Sequence, residues 1–164
     1  MGVVKRRLSS SQIIILGFAA VILLGSFLLM LPWAARDGRS AAFSDALFTA
    51  TSAVCVTGLV VQDTATYWSP FGQGIILVLF QIGGMGVVPI AAAVTVASGK
   101  KISLMQRSTM QEAISAPQMG GILRLTGFIL QTTLIIELLG ALLLAPAFSM
   151  ELGWQKGIWY GLFH

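Results

Sequence analysis

The sequence predicts an all-α membrane protein, and three observations predict it. Apolar residues fill 56% of the 164 positions and charged residues only 10%, with a mean hydropathy of +0.87, outside the range of soluble domains. Three stretches reach the roughly 20 apolar residues that a helix needs to cross a hydrocarbon core about 30 Å thick. Between the first two lies another apolar stretch, too short to cross, so the chain reads as helix, re-entrant loop, helix, and then a further helix.

The first span runs from about Gln12 to Leu31 and is ended by Pro32, whose ring resists continuation of a helix. Lys5, Arg6 and Arg7 precede it, but the apolar run is long and no small-residue cleavage site follows, so it reads as an uncleaved span rather than a leader. The second span runs from about Ser69 to Ala97, opening with Ser69 as N-cap and Pro70 at the first helical position. At that length it must tilt or bend, with Pro89 and the glycines Gly83, Gly84 and Gly86 as the expected bend and as points of close helix packing. The third span runs from about Ile122 to Ala145 and ends near Pro146.

Charge placement orients the spans. Lys5, Arg6 and Arg7 lie before the first, and Lys100, Lys101, Arg107 and Arg124 lie between the second and third, which puts both segments and the N-terminus in the cytoplasm. The other side carries Arg36, Arg39 and Lys156 against Asp37, Asp45, Asp63 and Glu151, with no basic excess. Trp33, Tyr67, Trp68, Trp154, Trp159 and Tyr160 all fall on that outer side and are expected at headgroup depth. In the cytoplasmic connection, residues 99–121, Ser103 and Gln106 have capping-box spacing, and the stretch to Ala116 reads as a short helix before Pro117 and Gly120. It is either a surface helix at the lipid interface or a docking surface for a cytoplasmic partner.

Several functions are excluded. The net charge of +4 sits beside apolar spans, where orientation explains it better than nucleic-acid binding. A single cysteine, Cys55, rules out an internal disulfide and a cysteine metal cluster. The glycines at 83, 84 and 86 lie inside a span and follow no strand, which argues against a nucleotide loop. Cys55, Glu137 and the lone histidine, His164, offer no nucleophile and base pair, so the chain is not expected to be an enzyme or to bind a cofactor.

The chemistry is expected in the re-entrant segment, Ala41 to Leu59. Its helical part, about Ser44 to Val54, is too short to cross the bilayer and carries Thr49, Thr51 and Ser52, so it cannot face lipid. Irregular backbone at membrane depth survives only buried in protein or lining an aqueous cavity, and a pore loop meets that condition. Asp45 complements the positive pole of the short helix, while the negative pole points inward. Val54, Cys55, Val56, Thr57 and Gly58 follow, where extended backbone can aim carbonyl oxygens at a dehydrated cation, with Gly58 free to take left-handed angles. Glu137, in the middle of the third span, must face protein; structural pairing is the preferred reading over direct ion ligation.

The run from Ser44 through Leu59, SDALFTATSAVCVTGL, resembles the first pore loop of the Trk/Ktr/HKT potassium transporters. Gln81 to Gly86 resembles the family's second-helix motif, and Ile136 to Ala141 the opening helix of its second repeat. The resemblance implies a helix–pore loop–helix repeat of potassium-channel type, four copies of which surround one permeation path. Residues 1–98 would be the first repeat, 99–121 the connection, and 122–164 the first span and the start of the pore helix of a second, truncated repeat. It implies a selectivity filter in which backbone carbonyls of Val54 to Thr57, with Gly58, bind K+ as the transported ion, with stimulation by Na+ as a family trait. This fragment, an N-terminal piece holding one and a half copies, would not conduct alone. The Ktr-type membrane subunit is the nearest branch, which implies a bacterial cell membrane, a homodimer, and a cytoplasmic ring of nucleotide-binding regulatory subunits. The alternative is a non-conducting membrane scaffold or assembly subunit, which flux measurements would separate.

Overall fold

The structure, a computed structural model, describes residues 9–99, 102–115 and 121–163. These form seven helices, α1 (Ser10–Leu29), α2 (Phe43–Val54), α3 (Pro70–Met85), α4 (Val87–Ala97), α5 (Leu104–Ala113), α6 (Ile122–Leu152) and α7 (Trp154–Phe163). Among the described residues there is no strand, only an isolated bridge between Ala35 and Trp68. The chain divides into two compact units, Met1–Ile122 and Leu123–His164. Two helices are long and apolar enough to cross a membrane, Ser10–Leu29 and Ile122–Met150, and a bent pair, α3 with α4, makes up to three spans. The protein is an all-helical membrane protein.

Local chemistry sets the helix starts. Ser9 and Gln12 form a reciprocal cap, Gln12 N–H donating to Ser9 Oγ at 3.3 Å and Ser9 N–H to Gln12 Oε1 at 3.0 Å, so α1 begins at Ser10, earlier than the apolar run alone indicates. Ser69 caps α3, accepting from Gly72 N–H at 3.2 Å, with Pro70 at its first position. Ser26, buried on α1, satisfies its hydroxyl within the helix by donating to the Ile22 carbonyl at 2.7 Å.

The expected second span is a bent pair of helices, α3 and α4. They meet at Gly86 and are bent by 99°, far beyond a tilt. Gly86 takes φ +88°, a left-handed angle that ends one ladder of hydrogen bonds and starts another. Pro89 is not the bend: it stands in the first turn of α4, where a missing N–H removes no helical bond. The third span is also corrected, since α6 continues past Pro146 to Leu152. A proline deletes one ladder bond, and the apolar residues beyond it keep the helix as the way to satisfy their backbone.

Trp68 is fully buried, so its ring packs in the protein rather than lying on its surface. The turn after α1 and the entry to α3 are stitched together by Arg36 N–H to the Tyr67 carbonyl and Ser69 N–H to the Ala34 carbonyl, both 2.9 Å, and by Ser69 Oγ to the Trp33 carbonyl at 2.5 Å. That closure seals the Trp68 ring beneath it, edge-on to Tyr67 with centroids 4.9 Å apart. Trp33 and Trp154 remain exposed.

α5 begins with the expected capping box, Gln106 N–H to Ser103 Oγ at 3.2 Å and Ser103 N–H to Gln106 Oε1 at 2.9 Å. It ends at Ala113, short of the expected limit; Ala116, Pro117 and Gly120 lie outside the described residues, as do Lys5, Arg6, Arg7, Lys100, Lys101 and His164. α5 is more than a surface helix, because Thr109 and Met110 are buried and Met110 packs with Ala92 of α4 and Ile122. Ser11 Oγ donates to Glu112 Oε1 at 2.6 Å, joining α1 to α5. In the second unit, α7 follows α6 after a turn at Gly153, with Gly157 packed on Ser149 and Gly161 on Ala141 and Ala145.

Candidate cation-coordinating loop

α2 is a short helix with a buried face, on which Ala46, Ala50, Ser52, Ala53 and Val54 lie. No side chain caps it: Ala42 is the N-cap, and Asp45 stands in the first turn. The Asp45 carboxylate faces the positive helix pole and also anchors the chain after the loop, accepting from Gln62 Nε2 at 2.8 Å and from Ser44 Oγ at 3.2 Å. Thr51 bonds back to the Leu47 carbonyl at 2.7 Å, and Thr49 is half-buried on the same helix.

At the other end of α2 the chain turns sharply. Cys55 N–H donates to the Thr51 carbonyl at 2.9 Å, Val56 N–H to Ala53 at 3.1 Å, and Thr57 N–H to Ser52 at 3.0 Å. Val56 has φ +53° and Gly58 φ +72°. The angle at Gly58 is easy, whereas the one at Val56 is costly for a β-branched residue, and such strain persists only where surrounding structure enforces it. The enforcing contacts come from Ser52, whose Oγ donates to the Leu59 carbonyl at 2.6 Å and lies 3.0 Å from Thr57 Oγ1. Cys55 through Val61 are exposed, and Cys55 carries a free thiol.

Two features differ from extended backbone beginning at Val54. Val54 is the last residue of α2, 1% exposed, and its carbonyl oxygen lies against Gly83 of α3. Cys55 is helical in its angles, φ −84° and ψ 0°, so the exposed stretch starts with a turn. The structure brings Asp45, Thr49, Ser52, Val54, Cys55, Val56, Thr57, Gly58 and Gly83 together in the first unit. Gly84 has open space around it, Gly86 is the break between helices, and Glu137 lies half-buried on α6 in the second unit. Sequence reasoning missed the strained Val56 and the anchoring by Ser52. The available signal was a serine among the buried small residues of a helix's last turn.

The flanking segment is acidic. Asp63 accepts from the Thr66 hydroxyl and amide, each at 2.8 Å, and these bonds hold its carboxyl below the ordinary value of 3.8. Burial, with Asp37 and Asp45 nearby, pushes the Tyr67 phenol above 10.0, so it stays neutral. Among the described residues no three His, Cys, Asp or Glu side chains gather as a metal site. The exposed oxygen-bearing groups of the loop are backbone carbonyls and the Thr57 hydroxyl, hard donors suited to a weakly held cation rather than to acid–base chemistry.

Comparison with known proteins identifies the family of the chain. The TrkH family, described as cation transport protein, matches residues 5–164. The chain is 45% identical over 161 residues to the potassium/sodium uptake protein NtpJ of Enterococcus hirae, covering 98% of this chain and 36% of that protein. It is 40% identical over 158 residues to the Ktr system potassium uptake protein B of Bacillus subtilis, covering 96% and 35%. The corresponding protein of Vibrio alginolyticus is 37% identical over 160 residues, covering 98% and 35%. The chain thus spans little more than a third of the length of these relatives, and the family is one of transporters, not enzymes. On the strength of a match that runs almost from end to end, this chain belongs to the TrkH family of cation transport proteins.

Proposed function

We propose that this chain supplies one wall of a potassium-selective filter in a longer uptake protein of the cell membrane. Residues 1–98 act as a helix–pore loop–helix repeat, 99–121 as the cytoplasmic connection, and 122–164 as the opening of a second repeat. Carbonyls along Cys55 to Thr57, with Gly58 permitting the turn, replace the hydration shell of K+ at the filter, while the Val54 carbonyl, expected as a ligand, is turned against Gly83 and supports the loop instead. The N-terminus faces the cytoplasm, and the complete protein works as a homodimer on a cytoplasmic nucleotide-binding ring. The named relatives are potassium or potassium/sodium uptake proteins, which supports the choice of ion. The observation that carries the reading is the exposed, strained turn at Val56 to Gly58, hydrogen-bonded back to the buried end of a short helix.

The test is ion flux through the full-length protein carrying Gly58→Ser. A side chain at φ +72° disturbs the carbonyl array, so discrimination of K+ over Na+ falls. Unaltered discrimination in a variant that reaches the membrane at normal levels would remove the filter from this loop.

A further inference from the structure

We propose that Ser52 is a positioning residue of the filter, setting the direction of the Thr57 hydroxyl as well as the path of the loop; this rests on the filter reading above. Ser52 is 8% exposed and has one hydroxyl proton. A carbonyl oxygen can only accept, so the 2.6 Å contact to the Leu59 carbonyl requires that proton. The 3.0 Å contact between Ser52 Oγ and Thr57 Oγ1 then has one solution: Thr57 donates and Ser52 accepts. Thr57 Oγ1 also lies 3.4 Å from the Ser52 carbonyl, a second acceptor on the same side.

The consequence is electrostatic. With its proton held inward, the Thr57 hydroxyl has no donor left to turn toward the exposed side, so only lone pairs face a cation there. A free hydroxyl would rotate its proton toward an incoming cation in part of the population and repel it. The same serine spans the loop, since its carbonyl accepts Thr57 N–H at 3.0 Å and its hydroxyl holds Leu59, with the two left-handed residues Val56 and Gly58 in between. One buried side chain therefore fixes both the strained backbone and the polarity of its single exposed hydroxyl.

The experiment compares Ser52→Ala and Ser52→Thr in the full-length protein, reading the K+/Na+ flux ratio beside membrane abundance. Ser52→Ala, which removes the bond to Leu59 and the acceptor for Thr57, is expected to lower the ratio at least about fivefold, and Ser52→Thr, which keeps the hydroxyl, is expected to restore most of it. If Ser52→Ala does not reach the membrane, Ser52→Cys, similar in size but a weak donor and acceptor, must lower the ratio in its place. An unchanged ratio in Ser52→Ala or Ser52→Cys, while Gly58→Ser lowers it, overturns the role of Ser52 and leaves the filter standing. An unchanged ratio in all three variants overturns both.

Discussion

The carbonyl oxygen of Val54 occupies the space that a side chain at Gly83 would need. This contact seats the end of α2 directly on the backbone of α3, so the turn at Cys55 and Val56 begins from a fixed base. Gly83→Ala must push the two helices apart, at a cost of about 1–3 kcal/mol by overpacking. Gly84, one residue on, has nothing within 4 Å of where an added methyl group would stand, so Gly84→Ala serves as the matched control. Thermal unfolding of the full-length protein in detergent should show a lowered midpoint for the first variant and little change for the second.

At Gly86 the strain is in the backbone itself. Its φ of +88° with ψ 139° is disfavoured for any residue with a Cβ, so Gly86→Ala should destabilise the bent α3–α4 arrangement by roughly 1–3 kcal/mol. Spin labels at Val78 and Val94, both exposed and one on each helix, report the outcome as a distance. A longer or broader distribution than that of the unmodified protein is expected, and an unchanged one would show that the bend does not depend on glycine.

Trp68 tests the closure between α1 and α3. The ring is fully buried, and its indole N–H has no hydrogen-bond partner among the described residues. Trp68→Ala should therefore cost about 3–5 kcal/mol through the cavity it leaves. Trp68→Phe keeps much of the volume and gives up no hydrogen bond, so its melting midpoint should lie well above that of the alanine variant.

Asp63 predicts a pH dependence. Its carboxyl is held below 3.8 by the Thr66 hydroxyl and amide, so the folded state favours the charged form. The sign follows: this contribution is complete above pH 3.8, the ordinary value, and is lost as pH falls through the lowered folded value. Asp63→Asn should melt below the unmodified protein at about pH 7, and the gap should close toward about pH 3. A constant gap would mean that the asparagine change acts through something other than charge.

The features legible in the sequence are those that depend on neighbours a few residues away. The Ser69–Pro70 start of α3 and the Ser103–Gln106 box of α5 are both present, because a cap needs only the first turn of its own helix. The short helix ending at Val54 and the left-handed Gly58 follow from composition and from the shape of one residue. What escapes such reading is long-range or quantitative. The burial of Trp68 appears only once Ala34, Ala35 and Arg36 close over it, and a glycine and a proline three residues apart announce a bend without giving 99°. The bond from Ser52 to Leu59, and with it the strain at Val56, exists only once the loop has returned past the helix end.

The hydrogen bond from Ser11 to Glu112 bridges 101 positions of the chain. A ribosome adding about 5–20 residues per second makes the amino-terminal helix wait roughly 5–20 s for this partner. During that interval α1, already apolar enough to enter the bilayer, has only lipid and the emerging α2 to α4 for company, so its insertion precedes its attachment to α5. The order of synthesis is thereby written into which contacts of the first helix can form early and which must form last.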